Sequence, residues 1–226
     1  MTSIYQRVLG AEFDRLHPQV RKSFGFSSED RLARIGRGVM LRVWHGAPYT
    51  LPFLYVGTWR RIMFPQAGVD VPFTIQNFAY VDSFGRETVT WIRTFGGRLR
   101  RRFDATMIYS PQRDRIVDYL GTHQHLAVDI DLAVDEKTKG MRLRSGEQRF
   151  YEGPLAFRFP MIFSGYADVC EWYDDVSSAF RIDVRVTNPF WGPLFGYSGT
   201  FTVEWRPCAA SEVPADVRPF RDERRE

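Results

Sequence analysis

The chain has 226 residues, 44% apolar and 15% aromatic, with a formal net charge of +4, enough for one domain with a sizeable core. No run approaches the roughly 18 uninterrupted apolar residues of a membrane-spanning helix. Met1 to Gly10 has no apolar signal core, and Cys170 and Cys208 alone make no disulfide framework, so a cytoplasmic protein without a transmembrane segment is expected.

Arginine supplies nearly all the positive charge, since only Lys22, Lys137 and Lys139 are lysines. Its densest cluster, Arg98, Arg100, Arg101 and Arg102 beside Gly96-Gly97, reads as a solvated strand edge or as a seat for an anion. Nucleic-acid binding would need more basic clusters interleaved with exposed aromatics, and no nucleic-acid partner is expected.

Along the first 26 residues, Ile4, Val8, Phe13, Leu16, Val20 and Phe24 recur at helical spacing. Pro18 can open a second helix and Gly25 can stop it, giving helices that cap one end of a β unit. A strand follows from Arg34 to Trp44, with Gly36 and Gly38 permitting a bend. Thr50 to Phe64 reads as a helix: Thr50 as N-cap, Pro52 in the first turn, and Phe53, Val56, Trp59 and Met63 on one stripe.

Beyond Pro65 the alternation is that of a β meander. Val71 to Val81 and Thr88 to Phe95 flank Asp82-Ser83-Phe84-Gly85. Phe103 to Tyr109 and Arg115 to Leu120 flank residues 110–114. The cleanest strand sets Leu126, Val128, Ile130, Leu132 and Val134 on one face and Asp129 and Asp131 on the other. It turns at Lys137 to Gly140 into Met141 to Ser145. Gly153-Pro154 and Phe159-Pro160 mark an edge strand or irregular lid. Tyr166 to Tyr173, Phe180 to Val186 and Tyr197 to Trp205 complete the series, and the apolar loop from Asn188 to Gly196 packs over a barrel mouth or meets a partner. The expected fold is mostly β: a closed or half-open antiparallel, lipocalin-like barrel with N-terminal capping helices. Residues 1–206 form its single domain, and 207–226 are expected to be a polar, disordered tail.

The segments "SIYQRVLG", "GRETVTW", "VDYLGTHQHLAVD", "FYEGPLAFRFP" and "GPLFGYSGTFTVEW" resemble a bacterial family known as domain of unknown function four-one-six-six. The resemblance runs from about Ser3 to Trp205. It implies a defined domain, often appended to dehydrogenase-like or membrane proteins, so a partner of either kind is one expectation. It carries over no catalytic residue.

Three side-chain groups could carry chemistry. His123, His125 and Asp129 follow one another at spacings near those of a divalent-metal site, although a polar turn with solvent-facing carboxylates is the simpler reading. In an enzyme, His123 or His125 would be the acid or base and Asp118 or Asp129 would orient it. The second group is Arg93, Arg158, Asp168 and Glu171, charges set in apolar runs. Arg93 and Glu171 share the parity of their apolar neighbours and could form an interior ion pair, or Arg93 or Arg158 could receive an anionic ligand head. The third comprises Trp91, Phe157, Trp172 and Trp191, which would pack on the ligand's body. The favoured expectation is binding of a small hydrophobic or amphipathic, lipid-like molecule in the barrel interior, with no cofactor. An enzyme in the same pocket and a protein-interaction module are the alternatives.

Overall fold

A computed structural model describes residues 2–96 and 100–226, with the side chain of Phe53 also outside the description. Arg98 of the arginine cluster therefore lies outside the described residues, as does the side chain of Phe53 of the proposed helical stripe.

Two short helices lead the chain. In α1 (Ile4–Leu9) the Ser3 hydroxyl accepts from the Gln6 amide at 3.1 Å, a side-chain cap on an otherwise unpaired donor. In α2 (Pro18–Gly25) the proline occupies the first turn, where its missing N–H costs nothing. Strand β1 (Leu32–His45) then opens the barrel. Helix α3 (Leu51–Trp59) separates it from β2 (Gly68–Val81), and β3 (Glu87–Phe95), β4 (Arg101–Ser110), β5 (Arg115–Leu120), β6 (Leu126–Val134) and β7 (Met141–Glu152) follow as a meander. After a two-residue turn, β8 (Leu155–Arg158) pairs with β7 alone, the edge strand that Gly153-Pro154 foretold. The chain finishes with β9 (Tyr166–Asp174), β10 (Ala179–Asn188) and β11 (Gly192–Pro207).

Apart from β8, the strands close into a ten-stranded antiparallel barrel: β1 pairs with both β2 and β11, and β7 pairs with both β6 and β9. Leu126, Val128 and Ile130 face the interior with Trp91, Phe103, Met107, Leu143 and Val184. The outer face carries Arg142, Asp168, Arg181 and Asp183. An apolar inside and charged outside is the reverse of a membrane-embedded barrel. Among the described residues, no helix is long and apolar enough to cross a membrane.

The N-terminal helices plug one end, as expected. Tyr5, Val20 and Phe24 are buried in the interior cluster. The Trp91 indole N–H donates to the Tyr5 hydroxyl at 2.8 Å, and the hydroxyl donates to the Met107 sulfur at 3.4 Å. The opposite end, where β1, β3, β5, β7 and β10 finish, is roofed by α3 and by the 3₁₀ turn Met161–Phe163.

Two segments differ from expectation. The helix α3 stops at Trp59, because Arg61 takes a left-handed φ of 57° and the Ile62 amide bonds back to the Gly57 carbonyl at 2.9 Å. Thr50 does not cap it; its hydroxyl donates to the Ala47 carbonyl. The tail expected to be disordered runs along the outside of the barrel. Val213 and Val217 are buried against Phe78, Tyr80 and Ile92 on outward positions of β2 and β3, and this cover leaves β3 buried on both faces. Farther along, the Phe220 amide donates to the Thr122 carbonyl, and the Glu223 amide to the Gln124 side chain at 2.6 Å. Several of the tail's charges have fixed partners, among them Asp216 with Arg102, Arg221 with the His123 carbonyl and Glu223 with Arg225, so composition alone misread it.

Candidate functional site

The barrel interior is polar at a few fixed points. Arg34, inward on β1, bonds Glu171 of β9 at 2.5 Å and donates to Asn77 Oδ1 of β2 at 2.9 Å. Its guanidinium lies over the rings of Phe180 and Phe201, at 5.0 and 5.5 Å. Burial pushes the Glu171 carboxyl up, and Arg34 opposes that shift. The interior ion pair anticipated for Glu171 therefore exists, but its partner is Arg34 rather than Arg93.

Arg93 stands apart. It is 4% exposed, donates to the Tyr197 hydroxyl at 3.3 Å, and stacks on Phe103 with the guanidinium carbon 3.7 Å from the ring centroid. Its Nε has no partner. Among the described residues no carboxylate forms an ion pair with it. Beside it opens a cavity of about 100 Å³, lined by apolar side chains of β4, β6, β7, β9 and β10 together with Arg93, Asp118 and Gln148. Asp118, inward on β5, has one carboxylate oxygen without a partner. Burial pushes its carboxyl up to about 7, against the lowering effect of Arg93. A buried carboxyl that titrates near neutrality can give or take a proton there.

At the roofed end the cavity is bounded by Ile62, Met63, Ser164 and Gly165. A smaller hollow of about 30 Å³ adjoins it, sharing Met63 and Ser164 and reaching Tyr49, Leu54, Ile162 and Trp191. Gln148 fixes this margin by donating to the Gly165 carbonyl at 2.9 Å and accepting from the Ser164 hydroxyl.

Of the residues singled out in the sequence, Arg93, Trp91 and Asp118 meet at this cavity. Arg158 does not: it lies on β8, 76% exposed, bonded to Glu147. Phe157, also on β8, stacks on Phe150 outside the cavity lining. Trp172 points outward on β9, opposite Arg181. Trp191 sits on the roof, its indole N–H donating to the Ile162 carbonyl. The parity that put Glu171 inside puts Trp172 outside, so the two could not both serve the interior.

The histidines lie on the barrel's outer side. Their rings stack 5.4 Å apart, and His125 is held by Glu152 at 2.6 Å and contacts Arg60 and Arg221. Burial, then the cations Arg60 and Arg221 and the neighbouring His125, push His123 down. Asp129 is engaged elsewhere, by Arg149 at 2.6 Å and Arg113 at 3.1 Å. Asp118 faces the opposite side of the sheet, so neither carboxylate orients these rings. Among the described residues no three His, Cys, Asp or Glu side chains gather as a metal site. Sequence reasoning passed over Arg34, which its shared parity with Gly36 and Met40 could have marked. It also passed over Gln148 and Ile62, which lie beside a bulge or in a loop where no periodicity operates, and it set Met63 on the stripe of a helix that ends at Trp59.

The sequence profile described as Domain of unknown function (DUF4166) matches residues 16–201. The chain is 32% identical over 208 residues to the uncharacterized protein YndH of Bacillus subtilis (strain 168), an alignment covering 91% of this chain and 99% of that one. No solved structure matches. The family likeness spans the strands that build the barrel and every interior charge just described, and the chain belongs to the DUF4166 family.

Proposed function

We propose that the barrel binds a small amphipathic acid, with its anionic group at Arg93 and its apolar body among the side chains of β4, β6, β7 and β10. The observation that carries this reading is a buried guanidinium with no carboxylate partner among the described residues, on the wall of an apolar cavity. A buried charge is costly unless something pairs with it, and a bound carboxylate would supply the missing acceptor. Near neutral pH a protonated Asp118 would add a hydrogen-bond donor to the same anion. The cavity, about 100 Å³, is somewhat smaller than the roughly 150 Å³ that accommodates benzene. That size excludes a long chain, and a short acyl or aromatic acid enters as Met63 at the roofed margin gives way. The free cysteines Cys170 and Cys208 fit a cytoplasmic setting.

Calorimetric titration with hexanoate, benzoate and the neutral hexanol tests the reading. The acids should bind and hexanol should not. The variant Arg93→Met should stay folded and lose about ten- to a hundredfold in affinity for the acids. Equal binding of hexanol, or unchanged acid affinity in that variant, would refute it.

The same pocket read as an enzyme rests on Asp118, whose carboxyl at about 7 suits proton transfer. In that reading the outer histidines take no part.

A further inference from the structure

The two ends of the barrel differ in charge. The hairpin turns at the helix-plugged end balance acids with bases: Asp82 with Arg86 in the β2–β3 turn, Asp114 with Arg113 between β4 and β5, and Asp135 and Glu136 with Lys137 and Lys139 between β6 and β7, while the β9–β10 turn adds Asp175. At the roofed end, the described connecting residues 46–67, 96, 100, 121–125, 153–154, 159–165 and 189–191 include no aspartate or glutamate, and Arg60, Arg61 and Arg100 stand among them. Arg60 and Arg61 follow α3, and Arg100 precedes Arg101 at the start of β4. Asp70 and Glu152 are carboxylates of neighbouring strand ends, and Glu152 is held by His125.

The same end is apolar where it meets water. The nine residues of α3 include no charged side chain, yet Tyr55, Val56 and Trp59 are exposed, Trp59 to 78%. An exposed helix in water ordinarily keeps a charged face outward. Phe163 of the 3₁₀ turn and Phe190 and Trp191 of the β10–β11 turn are exposed on the same roof. These pieces are tied together: the Tyr49 hydroxyl donates to the Trp191 carbonyl at 2.5 Å, the Trp191 indole donates to the Ile162 carbonyl at 2.9 Å, and the Tyr49 and Trp191 rings lie 5.9 Å apart. Arg60 stacks on Trp59 at 4.6 Å. Tryptophan and tyrosine among aliphatic side chains, bordered by arginine and free of acids in their connections, have the composition of a surface that sits at the headgroup level of a bilayer.

We propose that the roofed end docks on an anionic lipid bilayer, with α3 and the two aromatic turns seated at the interface and the flanking arginines on the headgroups. Charge complementarity selects this occupant. A second copy meeting the same face would set arginine against arginine, and an uncharged apolar groove would leave the exposed Arg100 without a counter-charge, whereas Arg61 already has Asp104 at 3.6 Å. The proposal stands independently of the cavity's ligand, since it rests on the exposed roof and on the charge of the turns.

Co-sedimentation of the full chain with large unilamellar vesicles tests it, using phosphatidylcholine alone and equal parts of phosphatidylcholine and phosphatidylglycerol. Binding should require phosphatidylglycerol and weaken as salt rises. The double variant Tyr55→Ala, Trp59→Ala and the double variant Arg100→Gln, Arg101→Gln should each lower the partition coefficient about tenfold or more. All four side chains are exposed or half-buried, and an unchanged circular dichroism spectrum checks that each variant folds. Failure to sediment with phosphatidylglycerol vesicles, equal binding to phosphatidylcholine alone, or insensitivity to both variants would overturn the proposal. So would a concentration-dependent dimer of the free protein that the Tyr55/Trp59 variant abolishes, because the face would then belong to a second copy.

Discussion

Arg34 and Arg93 both lower the Glu171 carboxyl against its burial, but only Arg34 bonds it. One interior cation is thus neutralised within the chain, and the other faces a cavity beside Asp118. The Asp118 carboxyl gives this arrangement a signature in stability. Its folded value, about 7, lies above its ordinary 3.8, so the folded chain holds a proton that the unfolded chain releases. The associated stability is present in full below pH 3.8 and is lost as pH rises through about 7, an effect on the order of 4 kcal/mol. Glu171 shifts in the same direction, and the lowered carboxyls Asp135, Asp174 and Glu204 act oppositely. The difference between wild type and Asp118→Asn isolates the group. Urea midpoints measured between about pH 4 and pH 8 should show the variant gaining on the wild type as pH rises. A constant offset between the two would mean that Asp118 ionises as an exposed carboxylate does. Arg93 was legible in the sequence as a charge at apolar parity, and Asp118 only as a carboxylate that could orient a histidine. Their meeting was not, because it depends on which strands face each other across the barrel.

At the scale of elements, the strands were largely readable because alternation persists wherever one face is buried and the other wet. The run Leu126 to Val134 matches β6 at both ends. Reading failed where that condition fails. The strand β7 continues past Ser145 to Glu152 through a bulge that resets the alternation, and the tail looked disordered because its few apolar residues follow no period. That tail supplies the missing cover for β2 and β3. Deleting residues 209–226 should expose Phe78, Tyr80 and Ile92 and remove the burial of Val213 and Val217. At about 1.5–3 kcal/mol for each buried valine, the truncated chain should lose roughly 3–6 kcal/mol in chemical denaturation. It should also bind a hydrophobic dye that the full chain excludes. Unchanged stability would mean that the outer face of β3 tolerates water.

For the whole molecule, the decisive contact is the seam where β1 meets β11 and the barrel closes. The inward positions of β1 include Gly36 and Gly38, read from the sequence only as places for a bend. A Cβ at Gly38 would lie 2.0 Å from the Thr200 carbonyl oxygen and 2.5 Å from the Phe201 Cα. Both are backbone atoms of β11, the strand against which β1 is registered from Leu32 to His45. A flexible side chain could move aside, but here the backbone itself would have to retreat, carrying the Phe201 ring out of the core and loosening the wall that holds Arg34. Gly146 of β7 makes a useful contrast, since a Cβ there meets Asp129 at 3.6 Å, an ordinary contact. Gly38→Ala should therefore lower stability by about 3 kcal/mol or more, in the range of severe core changes. Gly146→Ala should be neutral or slightly stabilising, because alanine narrows the unfolded ensemble. Thermal denaturation of the two variants side by side measures the difference. Similar melting temperatures would show that the barrel can widen at β1–β11 without cost, and closure would then depend on the inward side chains rather than on the close approach of two backbones.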